Sequence, residues 1–320
     1  MSTESTNAKN PEGAIRLNTR IGPLYFVEQS SIAEGIQRKG FHDVGVEYFM
    51  QKYSDCLFPF VDVGANVGMF SITAAGLDRQ GTVIAFEPDA TNLELLRKNL
   101  EWFGLDSVRV EATACSSKDG SIRMGMINCG LSRKSKQDAS KVECQTLRSY
   151  CERQGIEPAF VKIDVEGAEL DVLQGLLLES NYRSTIVELE FSWRDHGRHI
   201  EAILELLPPD QYDYEFLLTD SEREAFYAME WPKDLWNEVY DRLYPTGFIA
   251  CVARDQFQLQ RILELLRDST EELHSRKWEL CITPKDSTRL PGKIQLKDFG
   301  WGRIGRIGKA LRWMRLRKRS

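Results

Sequence analysis

The chain has 320 residues, 42% hydrophobic and 28% charged, with a net charge of −6. These proportions permit a sizeable core and exclude global disorder. No window approaches the ~18 consecutive apolar residues of a membrane span and no signal-peptide core opens the chain. The seven cysteines lack a CxxC pair, so reduced thiols in a cytoplasmic protein are expected.

The charge is unevenly spread. Residues 301–320 hold eight lysines and arginines and no acid, which leaves the other 300 residues at −14. An acidic body repels phosphate backbones, which argues against a nucleic-acid partner. Within the tail, Trp301, Ile304, Ile307, Leu311 and Met314 form one apolar stripe at helical spacing. Such a helix suits either the interface of an anionic membrane or the acidic surface of the same protein.

In chain order, residues 1 to about 20 are polar and are expected to be poorly ordered. Residues 1–45 read as a partly disordered N-terminal extension. From Phe58 short apolar runs alternate with amphipathic stretches. FPFVDVG (58–64) reads as a strand, followed by a helix from Val67, and TVIAFEP (82–88) as a second strand. Asp89 is placed to cap a helix whose Leu93, Leu96, Leu100 and Phe103 fall on one face, with Gly104 at its C-terminal turn. SVRVEATA (107–114) is a third strand, and residues 115–145 are weakly patterned. FVKIDV (160–165), TIVELEF (185–191), DYEFLL (213–218) and FIACVA (248–253) complete seven strands, and residues 256–267 form a further helix. This alternation predicts an α/β, Rossmann-like, doubly wound and mostly parallel sheet over residues 46–254. Residues 219–245 read as an insertion, and 255–320 as a C-terminal helical appendage ending in the basic tail.

Two clusters carry chemistry. The first is Val61-Asp62-Val63-Gly64-Ala65-Asn66-Val67-Gly68, between a strand and a helix. A dinucleotide loop would have glycine where Asn66 stands, to admit a pyrophosphate. S-adenosylmethionine has no pyrophosphate, and its ammonium, carboxylate and sulfonium match the Asp62 carboxylate and the amides of Gly64 to Gly68 in sign. Glu87, ending the second strand, is placed to accept hydrogen bonds from two ribose hydroxyls. The second cluster is Lys162-Ile163-Asp164-Val165-Glu166-Gly167-Ala168-Glu169. Lys162 and Asp164 share one side of the strand, while Glu166 and Glu169 fall in the first turn of the following helix, where acids oppose its dipole.

The segments FVDVGANVGMFS (60–71), VIAFEPDATNLELLRKNL (83–100), CQTLRSY (144–150), FVKIDVEGAELDVLQG (160–175) and VELE (187–190) resemble the FkbM-type family of methyltransferases. The resemblance covers roughly residues 45–192. It implies a seven-stranded class I methyltransferase fold, S-adenosylmethionine as methyl donor, and O-methylation of a natural product, glycan or lipid-linked sugar. The expected cofactor-binding residues are Asp62, Gly64, Ala65, Asn66, Gly68, Phe70, Ser71, Glu87, Pro88 and Ala114. Asp164, Lys162 and His196 are the expected catalytic residues, His196 and its neighbour His199 lying just after the fifth strand as candidate bases. Glu188 and Glu190 with Asp164 offer an oxygen site for Mg²⁺, but strand-end carboxylates also gather through edge exposure alone, and no metal is assigned. A nicotinamide-dependent oxidoreductase and a non-catalytic cofactor-binding protein are the alternative readings.

Overall fold

The computed structural model describes residues 12–39, 43–127, 130–132, 139–219, 234–241, 244–274 and 277–286. The basic tail lies outside these residues. The first described elements are an antiparallel hairpin, β1 (Ala14–Thr19) and β2 (Gly22–Val27), then helices α1 (Ser31–Lys39) and α2 (Val44–Lys52). The expectation of an appended extension is corrected here. Leu24, Tyr25 and Phe26 are buried. Asn99, fully buried, accepts a hydrogen bond from Tyr25 N at 2.8 Å and donates to Tyr25 O and Val67 O, tying the hairpin to the body.

The βα units then follow as the periodicity predicts. Strands β3 (Phe60–Val63) and β4 (Val83–Phe86) alternate with helices α3 (Met69–Leu77) and α4 (Ala90–Phe103). Every residue of β3 and β4 is buried, as strands covered on both faces must be. Asp89 caps α4 by accepting from Thr91 N and Asn92 N, and Gly104 ends it in a left-handed turn.

The run 107–114 is not one strand. It divides into β5 (Arg109–Glu111), on the edge of the main sheet, and β6 (Ala114–Cys115), which leaves it. With β7 (Gly120–Ile127), β8 (Gly130–Ser132) and β9 (Ser140–Gln145), β6 builds a second sheet in the order β6-β9-β7-β8. Among the residues of these strands whose side chains are described, Ile122, Met124, Val142 and Cys144 supply a sparse apolar alternation beside buried Ala114.

After α5 (Leu147–Gln154) come β10 (Phe160–Ile163), α6 (Glu169–Leu177), β11 (Ile186–Phe191), α7 (Trp193–His196), α8 (Ile200–Leu206) and β12 (Tyr212–Thr219). The chain closes with β13 (Trp236–Asp241), β14 (Tyr244–Ala253), α9 (Gln256–Arg267), α10 (Glu271–His274) and β15 (Trp278–Pro284). The main sheet runs β13-β14-β12-β15-β11-β10-β3-β4-β5, parallel from β11 to β5 and antiparallel from β13 to β11.

All seven predicted strand segments supply strands of this sheet apart from the portion of 107–114 noted above, and two further strands join them. β13 extends the edge from within the stretch read as an insertion. β15, all seven residues buried, sits between β11 and β12, so residue 254 is not the end of the sheet. None of the six described cysteines forms a disulfide. No helix among the described residues is long and apolar enough to cross a membrane.

Candidate active site

A cleft open to solvent runs along the carboxyl ends of β4, β3, β10 and β11. Glu87 follows β4, Gly64 follows β3, Asp164 follows β10, and Glu190 lies near the end of β11; all four line it. Neighbouring strands are about 4.8 Å apart, so Glu87 and Asp164 stand roughly 10 Å apart across the sheet. Of the expected cofactor residues, Gly64, Ala65, Asn66, Phe70, Glu87, Pro88 and Ala114 line the cleft.

The turn after β3 is dictated by close approach. Gly64 has φ +76°, and a Cβ there would lie 1.9 Å from the Asp164 carbonyl oxygen. Asn66 also takes a left-handed conformation, φ 51°, which asparagine tolerates better than most residues. Its side-chain oxygen accepts from Val67 N at 2.9 Å, and its amide donates to Glu87 Oε2 at 2.7 Å. The amides of Gly64 and Ala65 donate to Phe86 O, and that of Gly68 to Ala65 O. All five amides from Gly64 to Gly68 are therefore engaged. The expectation that they hold the cofactor's carboxylate is corrected: they hold the loop instead.

Four further expected site residues are corrected. Asp62 is fully buried; Ser71 Oγ donates to its Oδ2 at 2.6 Å, and Lys162 Nζ stands 3.3 Å from Oδ1. Neither Asp62 nor Ser71 lines the cleft. Gly68, φ +88°, caps α3, where a Cβ would meet Leu96 Cδ1 at 2.2 Å, so it is a packing glycine. His196 is buried away from the cleft, stacked on Phe191, its Nε2 3.0 Å from Glu169 Oε2. Burial opposes ionisation of Glu169, yet the His196 hydrogen bond and charge hold its carboxyl below the usual range. His196 thus joins α7 to α6 and is not poised as a base. His199 accepts from Arg198 Nε at the surface.

Lys162 does reach the cleft. Its Nζ donates to Gly64 O at 3.0 Å and lies 3.6 Å from Asp164 Oδ2. Burial pulls its pKa down, but Asp62, Asp164 and Glu188 together outweigh that and push it up, so it stays a fixed cation. Asp164 is displaced upward: burial, Asp43 and Glu166 raise it against the opposing pull of Lys162 and Lys277. Glu87 is pushed up to about 7 by burial, against the lowering effect of the Asp89 and Asn66 amides.

Glu166 does not belong to the first turn of α6. It precedes the helix with φ 54°, and its carboxylate lines the cleft 3.6 Å from Lys277 Nζ. Lys277 lines the cleft without any local signal in the sequence, as do Phe26, Ser31, Ile32 and Asp43 from the N-terminal elements, since it precedes a strand that pairs with β11 from far along the chain. Ile122 and Met124 of the second sheet also line the cleft. Their alternation was legible, but nothing local tied it to the site.

Residues 62–216 match the family described as Methyltransferase FkbM domain. Methyltransferase 1 of Beauveria bassiana (strain ARSEF 2860) is 27% identical over 164 residues, 41% of this chain and 65% of that protein, just under two thirds of its length. Methyltransferase sdnD of Sordaria araneosa is 29% identical over 189 residues, covering 46% of this chain and 72% of that protein. Among solved structures, methyltransferase FkbM from Methylobacillus flagellatus KT is 21% identical over 47% of this chain and 37% of its own, with a TM-score of 0.36. The SAM-dependent methyltransferase from Agrobacterium tumefaciens is 10% identical over 87% and 72%, with a TM-score of 0.42. Across β3 to β12, just under half of the chain, the sequence is thus similar to FkbM-type methyltransferase domains.

Proposed function

We propose that the chain is an S-adenosylmethionine-dependent methyltransferase acting on a hydroxyl of a glycan, lipid-linked sugar or natural product. The observation that carries this reading is the polarity of one cleft, with Glu87 toward one end and the Asp164–Glu190 pair toward the other. The residues fit the donor. Glu87 offers a carboxylate to the ribose hydroxyls, and Thr113, Ala114 and Cys115 wall the nucleoside end. Met69 and Phe70 present the N-terminal turn of α3, whose dipole suits the donor's carboxylate.

When bound, S-adenosylmethionine supplies an electrophilic methyl group. The chain's contribution is alignment of donor and acceptor, together with removal of the acceptor's proton. Asp164 is the base in this reading, its Oδ accepting the hydroxyl proton while Lys162, fixed by Asp62, orients it. Phe70 and Val165 keep water from the reacting ends.

Incubation with methyl-labelled S-adenosylmethionine and panels of sugars, lipids and polyketides tests this reading. Stabilisation by S-adenosylmethionine and its demethylated product, and not by NAD, is expected in thermal unfolding. NAD as the better ligand would end it. The basic tail is proposed to contact anionic membranes. Liposome co-sedimentation of the intact chain, lost on deleting residues 301–320, is the matching test.

A further inference from the structure

One wall of the cleft comes from outside the segment matched to methyltransferase domains. Phe26, Ser31, Ile32 and Asp43 line it, and all four precede residue 62, where that match begins. Contacts at each end fix where this wall runs. Asn99 donates to both Tyr25 O and Val67 O, so Phe26, the next residue, enters the cleft beside the start of α3. Asp43 stands at the opposite end, where its negative charge bears on Lys162, Asp164 and Glu190. Gly45, two residues on, packs so closely against Glu279, the ladder partner of Glu190, that a Cβ would meet Glu279 Cγ at 2.3 Å. Between these ends Ser31 and Ile32 open α1 at the cleft, and Ser30 Oγ caps the helix by accepting from Ala33 N at 3.2 Å.

The wall and the strand ends differ in character. Phe26 is buried and Ile32 half-buried, and with Met69 and Phe70 of α3 they turn carbon toward the cleft. The acids Asp164, Glu166 and Glu190 come from the strand ends, where Lys162 and Lys277 already engage them. Among the described residues no Trp, Tyr, His, Arg or Gln lines the cleft, and Ser31 brings the one neutral hydroxyl of the wall. A sugar bound here carries hydroxyls on every side, and those turned toward Phe26 and Ile32 would lose water without gaining partners. A hydroxyl on an apolar skeleton suits both sides, its oxygen reaching Asp164 while its carbon covers the wall.

We propose that this wall selects the acceptor, with Ile32 and Phe26 contacting an apolar skeleton beside the hydroxyl that faces Asp164. Among the acceptor classes named above, it favours a natural product of largely hydrocarbon body over a free glycan. That the bound molecule is a methyl acceptor rests on the methyltransferase reading. The preference for an apolar hydroxylated molecule rests on the wall alone.

Isothermal titration of the full chain with β-naphthol and with methyl β-glucoside, with and without the demethylated product of the donor, tests the proposal. The naphthol is expected to bind about tenfold or more tightly than the glucoside. Ile32→Asn should weaken naphthol binding by about tenfold, and Ile32→Leu, which keeps the hydrocarbon, should retain it. Ser31→Glu, at an exposed position, should weaken it as well. Thermal stabilisation by the demethylated product should be equal in all three variants, which separates a lost contact from a lost fold. Equal naphthol affinity in wild type, Ile32→Asn and Ser31→Glu overturns the proposal. So does tighter binding of the glucoside, or no naphthol binding in a chain that binds the demethylated product. Naphthol binding that depends on Ile32, in a chain without affinity for donor or product, would support the wall and count against the methyltransferase reading alone.

Discussion

Lys162 Nζ lies 3.3 Å from Oδ1 of Asp62, and both side chains are almost wholly withdrawn from water. Asp62→Ala takes the nearest carboxylate from a buried ammonium, leaving Asp164 at 3.6 Å as its remaining ion-pair partner, and costs up to about 3 kcal/mol. The expected result is a large drop in the urea midpoint, with loss of methyl-donor binding following from unfolding. Asp62→Asn combined with Lys162→Met should recover much of the stability, since it removes both charges together. Equal stability of Asp62→Ala and wild type would show that the pair does not hold β3 to β10.

Glu87 gives a pH dependence whose sign is fixed. Its carboxyl titrates near 7 in the folded chain, above the usual 4.5. The folded state therefore binds more protons than the unfolded state between those values. That contribution to stability is complete below about 4.5 and fades as pH rises through 7. Affinity for the methyl donor should move the other way, because the ionised carboxylate is the better acceptor for ribose hydroxyls. Isothermal titration from pH 6 to 8 should find tighter binding at higher pH, and Glu87→Gln should weaken binding and flatten the dependence.

Asp164 and His196 separate by opposite signatures. Asp164→Asn should lower turnover by about 100-fold or more with little change in donor affinity, as expected for a lost base. His196→Ala should leave turnover per folded molecule unchanged while costing about 1–3 kcal/mol, because Glu169 loses a buried partner. Steady-state kinetics beside chemical denaturation reads both. A kinetic defect in His196→Ala at full stability would return it to the catalytic residues.

Gly64→Ala is expected to be among the most damaging single-methyl additions in the chain. The new methyl meets backbone, not a movable side chain, at a position with φ +76°. Thermal unfolding should shift downward, and stabilisation by the methyl donor should be lost even in the fraction that folds.

The parallel half of the sheet was legible because its strands are short, apolar and punctuated: Phe60–Val63 ends at Asp-Val-Gly, and Val83–Phe86 ends at Glu-Pro. The cap at Asp89 and the left-handed Gly104 announced α4 equally clearly. Residue types at the site were legible too, but their division of labour was not. Asp62 and Asn66 carry the same chemical groups whether they face a ligand or the loop, and only three-dimensional partners distinguish the cases. His196 looked available because its partner Glu169 is 27 residues away. Lys277 and β15 were invisible to any local pattern, since their place is set by pairing with residues about 90 positions earlier.

That late strand has a consequence for how the molecule comes into being. During synthesis β11 and β12 emerge well before β15, the strand that separates them in the finished sheet. Until it arrives, each of them presents an unpaired edge, the kind of surface on which nascent chains adhere to one another. A ribosome-bound product stopped after α9 should therefore need chaperone protection that the completed chain does not. The half of the cleft around Glu87 and Gly64 has all its strands by then. The half that holds Glu190 waits for Lys277 and the strand behind it, so the cleft is completed from its Glu87 end toward its Glu190 end.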